Sequence, residues 1–187
     1  METFDLYTLD GRKAKKTMIR GTRIPEGYYR YIIHVIVFSS KGEMLIQRRQ
    51  PFKKGWSGMW DVSAGGSVIS GETIQEGAER ETREELGLEL SLDGILPSLC
   101  LRFDEGINVI YLVQKDVDPA GLHLQAEEVQ QVKWAGREEI LKMIDEGTLL
   151  PTTKASLTCC STFTATMIFL LQKILQNRTG EQIWESW

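Results

Sequence analysis

The feature that most constrains this chain is an acidic run between Gly66 and Leu88, punctuated by glycine. Gly66 is followed, after five residues, by Glu72, and after seven more by Arg80-Glu81-Thr82-Arg83-Glu84-Glu85-Leu86-Gly87-Leu88. Thr73-Ile74-Gln75-Glu76 has the pattern of a capping box and predicts a helix start. Gly87 suits the end of that helix. Ile74, Ala78 and Leu86 recur at multiples of four and predict an apolar stripe. At about 100° per residue, Glu81, Glu84 and Glu85 fall within an arc of roughly 100°. Three carboxylates on one face repel each other unless a cation sits among them. Oxygen ligands with no His or Cys nearby favour Mg²⁺, with Mn²⁺ as the alternative, over zinc. The preceding Ala64-Gly65-Gly66-Ser67 reads as a loop whose glycines permit unusual backbone angles and the close approach of a ligand. Arg80 follows Glu72 by eight residues, a spacing that predicts a structural ion pair. The competing reading of the whole run is an ordinary solvated helix face.

Together these residues resemble the signature of the Nudix hydrolases: a glycine, a spaced glutamate, then Arg-Glu-apolar-x-Glu-Glu-x-Gly-apolar. Every charged and glycine position is filled, and the one departure is Thr82, where an aliphatic residue is usual. The resemblance implies an α/β/α sandwich, with a mixed β-sheet between helices. It also implies a Mg²⁺-dependent enzyme that cleaves a diphosphate linkage in a nucleoside diphosphate derivative or related small molecule. Glu81, Glu84 and Glu85 would be its catalytic and metal-holding residues. Gly65 and Gly66 would let the backbone approach the substrate, and Glu72 and Arg80 would be structural. The family often takes a further acid from a loop before a late strand. Glu127 and Glu128 stand there as candidate ligand or general base, and Glu84 is the other candidate base. The alternative for Glu127 and Glu128 is a pair of solvated surface acids.

At 187 residues the chain fits one domain with a sizeable core. Residues 1–28 read as an N-terminal extension with a short strand, and 153–187 as a C-terminal helix and tail. The net charge of −4 gives no reason to expect nucleic-acid binding, and it leaves an anionic substrate in need of a metal and local basic residues. Met1 to Asp5 lacks a signal-peptide pattern. Three cysteines, two of them adjacent at Cys159-Cys160, make neither a disulfide framework nor a zinc site, so a reducing cytoplasm is expected. Ala155 to Gln172 carries no charge, but it is short for a membrane span and rich in Ser, Thr and Cys. It is expected to pack on the domain or on a second copy, which leaves a homodimer open. Trp184 and Trp187 on the tail either dock in the same way or fray.

Along the chain, Phe4 to Thr8 predicts a short strand, then an Asp10-Gly11 turn and a basic stretch, Arg12 to Lys16. Tyr31 to Phe38 is a buried strand, forming a hairpin with Met44 to Arg48. Leu96 to Phe103 and Asn108 to Gln114 predict another strand pair, Val129 to Trp134 a further strand, and Arg137 to Glu146 a helix ended by Gly147. This order is α+β. His34, inside an apolar strand, is expected to be a satisfied core histidine.

The stretch from Gln47 to Trp60 looks like its counterpart in a Nudix branch related to type I isopentenyl-diphosphate isomerases. In that branch an arginine and a lysine here hold the substrate diphosphate, and the matching positions are Arg49 and Lys53. A basic hairpin end beside an acidic metal site would grip phosphate oxygens; the alternative is solvent-facing charge. Trp56 and Trp60 either stack on the substrate or pack in the core. Isomerisation itself is not expected. The isomerases' reactive cysteine and two metal-binding histidines fall here at Gly65, Ser67 and Arg30. A non-catalytic nucleotide-sensing module is the other alternative, and its usual mark, a decayed signature, is missing.

Overall fold

The computed structural model describes residues 1–103 and 106–150. The expected C-terminal helix and tail, with Cys159, Cys160, Trp184 and Trp187, lie outside the described residues. The chain forms strands β1 (Thr3–Tyr7), β2 (Lys13–Ile19), β3 (Arg30–Phe38), β4 (Met44–Arg49), β5 (Trp60–Asp61) and β6 (Ala64–Ser67), then helix α1 (Ile74–Leu86). Strands β7 (Leu99–Phe103), β8 (Gly106–Gln114) and β9 (Val129–Ala135) follow, and helix α2 (Arg137–Asp145) is the last element among the described residues. A single 3₁₀ turn, Pro119–Gly121, precedes β9.

The main sheet is mixed. Its spine runs β5-β4-β3-β8-β7, with β6 paired to β3 and β9 to β4. β3 and β8 are parallel over their full length, and the remaining pairs are antiparallel. Alternate side chains of the central strands enter two cores, as the period of two requires. Ile33, Val35, Val37 and Leu45 meet Ala78 and Leu86 of α1. Ile36, Phe38, Met44 and Ile46 meet Ile140 and Met143 of α2. The sheet is therefore sandwiched between the helices, and the fold is the α+β sandwich expected from the sequence.

The expected β3–β4 hairpin opens almost at once. The two strands share one paired position, Phe38 with Met44, and then splay. The widening gap takes in the segment from Trp60 to Ser67, with β5 on β4 and β6 on β3. Ser63 joins the sides. Its hydroxyl accepts from Val37 N at 2.8 Å and donates to Leu45 O at 2.6 Å, while the residue is fully buried. The splay places the glycine pair in a strand, facing α1.

The N-terminal segment adds a strand to the one expected. Most of its basic stretch lies in β2, antiparallel to β1 in a separate two-stranded sheet. Phe4, Leu6 and Met18 form a small core there. Asp5 ties this sheet to the domain, pairing with Lys13 at 2.6 Å and accepting from Gly71 N at 2.9 Å. Burial works against the Asp5 charge, but Lys13 and the Gly71 amide outweigh it and hold the carboxyl below its usual range.

Candidate active site

Helix α1 begins at a complete capping box. Glu76 N donates to the Thr73 hydroxyl at 3.1 Å, and Thr73 N donates to Glu76 Oε2 at 2.7 Å. It ends at Gly87 in the left-handed region, φ 64°, where the amide donates back to Arg83 O. His123 packs so close to Gly87 that a Cβ there would meet its Cβ at 2.8 Å. Thr82, the departure from the signature, is fully buried in the stripe with Ala78 and Leu86. Its hydroxyl donates to Ala78 O at 2.7 Å, so the side chain packs as an apolar residue would.

The helix brings the acids to β6. Arg80 grips Glu72 through two bonds, and its Nη2 also donates to Ser67 O at 3.1 Å. Its Nη1 lies between Glu81 Oε1, at 3.0 Å, and Glu84 Oε2, at 3.1 Å. The surrounding acids outweigh the cost of burial and raise the Arg80 pKa. Glu85 is buried, and its Oε2 accepts from Gln47 Nε2 at 2.8 Å and from Gly65 N at 3.1 Å. Burial pushes Glu81 up to about 7 against the pull of Arg80. Burial, and then the neighbouring charge of Glu81, pushes Glu85 up to about 8.

The glycine pair acts by making room, not by unusual backbone angles. Neither Gly65 nor Gly66 has a positive φ. A Cβ at Gly66 would lie 2.1 Å from Glu81 Oε1, so the missing side chain is the space the carboxylate occupies. A Cβ at Gly65 would lie 3.2 Å from His34 Nδ1. Among the described residues His34 has a partner at one nitrogen: Nε2 lies 3.4 Å from Asn108 Oδ1, and buried Nδ1 meets no hydrogen-bond partner there. Burial lowers its pKa.

The expected cluster of three acids is not a ready-made cage. Among the described residues, no three Asp, Glu, His or Cys side chains are gathered closely enough to hold a metal as they stand. Glu84 is half-exposed and held by Arg80, whereas Glu81 and Glu85 are turned inward. The donor set still fits a hard divalent cation. It is all oxygen, it sits in a cradle that any larger residue at 66 would fill, and its buried acids lack the charge needed to ionise them together.

The basic residues lie at the margin of these acids. Arg49 and Lys53 are part-buried, not fully solvated. Arg49 Nη1 is 3.9 Å from Asp61 Oδ2, and its buried Nε has no hydrogen-bond partner among the described residues. Lys53 pairs with Glu128, while Glu127 is exposed. The segment before β9 docks on the end of α1 through His123 N to Leu86 O and Gln125 N to Glu85 O, which carries Glu128 towards Lys53. Trp60 packs in the α2 core, and Trp56 is an exposed loop residue with φ 53°.

Sequence reading missed Asp61 and Gln47. They are partners across β4 and β5, on the face that meets Glu85. Burial pushes Asp61 up to about 6, with the Val62 amide and Arg49 pulling back. The available signal was Gln47 directly after the apolar run Met44-Leu45-Ile46, and an acid, Asp61, set between Trp60 and Val62.

The family model for the NUDIX domain matches residues 28–152. An uncharacterized Nudix hydrolase of Listeria monocytogenes is 40% identical over 151 residues, covering 81% of this chain and 89% of its own. An isopentenyl-diphosphate Delta-isomerase of Salmonella arizonae is 33% identical over 116 residues, covering 58% of this chain and 62% of its own. A crystal structure of a protein from Deinococcus radiodurans shares the fold with a TM-score of 0.68 at 24% identity, covering 86% of this chain and 99% of that one. The chain belongs to the Nudix family of hydrolases, which act on phosphorus-containing anhydrides. Among the described residues, no helix is long and apolar enough to cross a membrane.

Proposed function

We propose that this chain hydrolyses the diphosphate linkage of a nucleoside diphosphate derivative or related small molecule, using Mg²⁺ or alternatively Mn²⁺. The observation that carries the reading is the pair of acids, Glu81 part-buried and Glu85 buried, set against a strand with no side chains at 65 and 66. Glu81, Glu84 and Glu85 would hold the cation, which supplies charge neutralisation and Lewis-acid polarisation of phosphate oxygens and of water. Gln47 and the Gly65 amide fix Glu85 Oε2 in place. Arg49, whose buried Nε donates no hydrogen bond to the described residues, would orient the diphosphate, and Lys53 would join it on leaving Glu128. Glu84, Glu127 or Glu128 takes the proton of the attacking water. Glu72 and Arg80 hold the helix end of the site together. Cys100, exposed and free, fits a reducing cytoplasm.

Isomerisation is disfavoured by the residues present. The space beside Gly65, where a thiol would be needed, is bounded by His34 and the Ile33 carbonyl. Arg30 donates to the Ser67 hydroxyl, so the two metal-histidine positions of the isomerases hold a cation and an alcohol bonded to each other. The filled charged and glycine positions of the signature speak against a sensing module. The test is a panel of diphosphate substrates with Mg²⁺ or Mn²⁺, with phosphate measured after a coupled phosphatase. Release from at least one substrate is expected, without interconversion of isopentenyl and dimethylallyl diphosphates. No release across nucleotide, sugar-nucleotide and non-nucleotide substrates would overturn the proposal.

A further inference from the structure

A cavity of about 930 Å³ opens where residues 20–29, the connection from β2 to β3, fold beside the end of β6. Among the described residues, four arginines line it, Arg20, Arg23, Arg30 and Arg102, with one acid, Glu26. The chain is acidic overall, so this gathering of like charge stands out from its surroundings. Arg20 pairs with Glu2 at 2.6 Å, but both side chains are largely exposed and the pair is screened by water. Arg102 donates to the neutral Tyr29 hydroxyl at 2.9 Å. Neither Arg23 nor Arg102 enters an ion pair with any described residue. Gathered guanidinium groups repel one another until an anion joins them, and their planar forks match phosphate oxygens two at a time.

The cavity adjoins the acidic site through Ser67, at the end of β6. Ser67 lines it, accepts from Arg30 through its hydroxyl, and accepts from Arg80 Nη2 through its carbonyl. The next residue back, Gly66, cradles Glu81. Arg20 is near enough for its charge to act on Glu81. Arg49 and Lys53 lie instead beside β5 and the segment before β9. The acids therefore have two groups of basic residues, and the family resemblance pointed to only one. The volume is within the range of small-molecule sites, large enough for a nucleotide-sized group.

We propose that the arginine-lined cavity binds a second phosphate of the substrate, one lying beyond the scissile diphosphate. Preferred substrates then carry a phosphate monoester on the group attached to the diphosphate. Assigning the cavity to substrate rests on the diphosphate hydrolase reading; its affinity for a phosphate monoester does not.

The test uses the full chain stripped of metal, so that binding is read without turnover. AMP is the phosphate monoester probe and adenosine its uncharged control, titrated by calorimetry. AMP is expected to bind at least about tenfold more tightly than adenosine, with an affinity that falls as salt rises. Arg23→Ala with Arg102→Ala is expected to weaken AMP by about tenfold or more, and Arg49→Ala by less than about twofold. Arg23→Glu, at an exposed position, repeats the test should the double variant unfold. Equal binding of AMP and adenosine, or AMP affinity unchanged in both folded arginine variants, would overturn the proposal. Loss of AMP binding in those variants supports the site even if no diphosphate is hydrolysed, which separates its failure from that of the hydrolase reading.

Discussion

Arg80 and Glu72 are joined by two near-parallel bonds, Nε to Oε1 at 2.6 Å and Nη2 to Oε2 at 3.1 Å, with both side chains largely buried. A third bond to Glu72, from Ile69 N to Oε2 at 3.1 Å, ties the loop before α1 to the same pair. The pair thus holds the loop, the end of β6 and the helix in one arrangement. Glu72→Gln keeps the shape and removes the charge, leaving Arg80 to Glu81 and Glu84. It is expected to cost about 2–3 kcal/mol, the scale of breaking a charged, largely buried hydrogen-bonded pair. Denaturant unfolding checks this; a cost below about 0.5 kcal/mol would class the pair with exposed ones.

Gly66 and Gly65 offer a paired comparison of space alone. Gly66→Ala drives a Cβ into the Glu81 carboxylate, which must leave its place. Gly65→Ala meets His34 Nδ1 and Ile33 O at the tight limit of ordinary contact. Turnover of Gly66→Ala is expected to fall by about 10²-fold, since a displaced acid no longer serves the reaction. Gly65→Ala is expected to fall less, with circular dichroism unchanged in both. Equal activity in wild type and Gly66→Ala would remove Glu81 from the site.

Ser63→Ala tests the splayed strands. The substitution leaves Val37 N without its buried acceptor and separates two strands that share one bridge above it. A loss of about 1–3 kcal/mol is expected, the cost of an unsatisfied buried donor. Ser63→Thr keeps the hydroxyl and tests whether the bond or the volume matters. If Ser63→Ala unfolds at the wild-type denaturant midpoint, another group holds the wedge.

The acids make stability and cation binding depend on pH in a definite sense. Glu81 and Glu85 have folded pKa values raised to about 7 and about 8. Above the ordinary glutamate value, the folded state therefore binds more protons than the unfolded chain. Stability without a divalent cation must fall as pH rises through this window. A cation takes the ionised acids and releases their protons, so its stabilisation grows over the same range. The rise in Tm on adding Mg²⁺ is expected to be larger at about pH 9 than at about pH 6. A rise that is the same at both, or absent at both, would contradict a cation held by these carboxylates.

What the sequence revealed of this fold was its local part. Thr73, Glu76 and Gly87 announce the two ends of α1 because capping is settled by a few neighbouring residues. β2 was hidden because Lys13–Ile19 buries only Met18 and is held by pairing with β1, which no local periodicity reports. The opening of the β3–β4 hairpin depends on Ser63, distant in sequence from Val37 and Leu45, so the strands read as a simple hairpin. In the candidate site the acidic residues were legible as a spacing. The roles of Gly65 and Gly66 were not, because their missing side chains matter only against His34 and Glu81 on other elements. Asp61, Gln47 and the arginine cavity likewise exist only once the strands are registered.

The central claim is that Glu84 and Glu85 serve a divalent cation during cleavage of a diphosphate. The most direct measurement is phosphate release, with Mg²⁺ or Mn²⁺, by wild type, Glu84→Gln and Glu85→Gln on the substrate that wild type turns over fastest. The account predicts that both variants fold, that each loses at least about 10²-fold in kcat, and that metal-stripped wild type is inactive until the cation is restored. Full activity in both variants, or undiminished turnover by the metal-stripped enzyme, would contradict it.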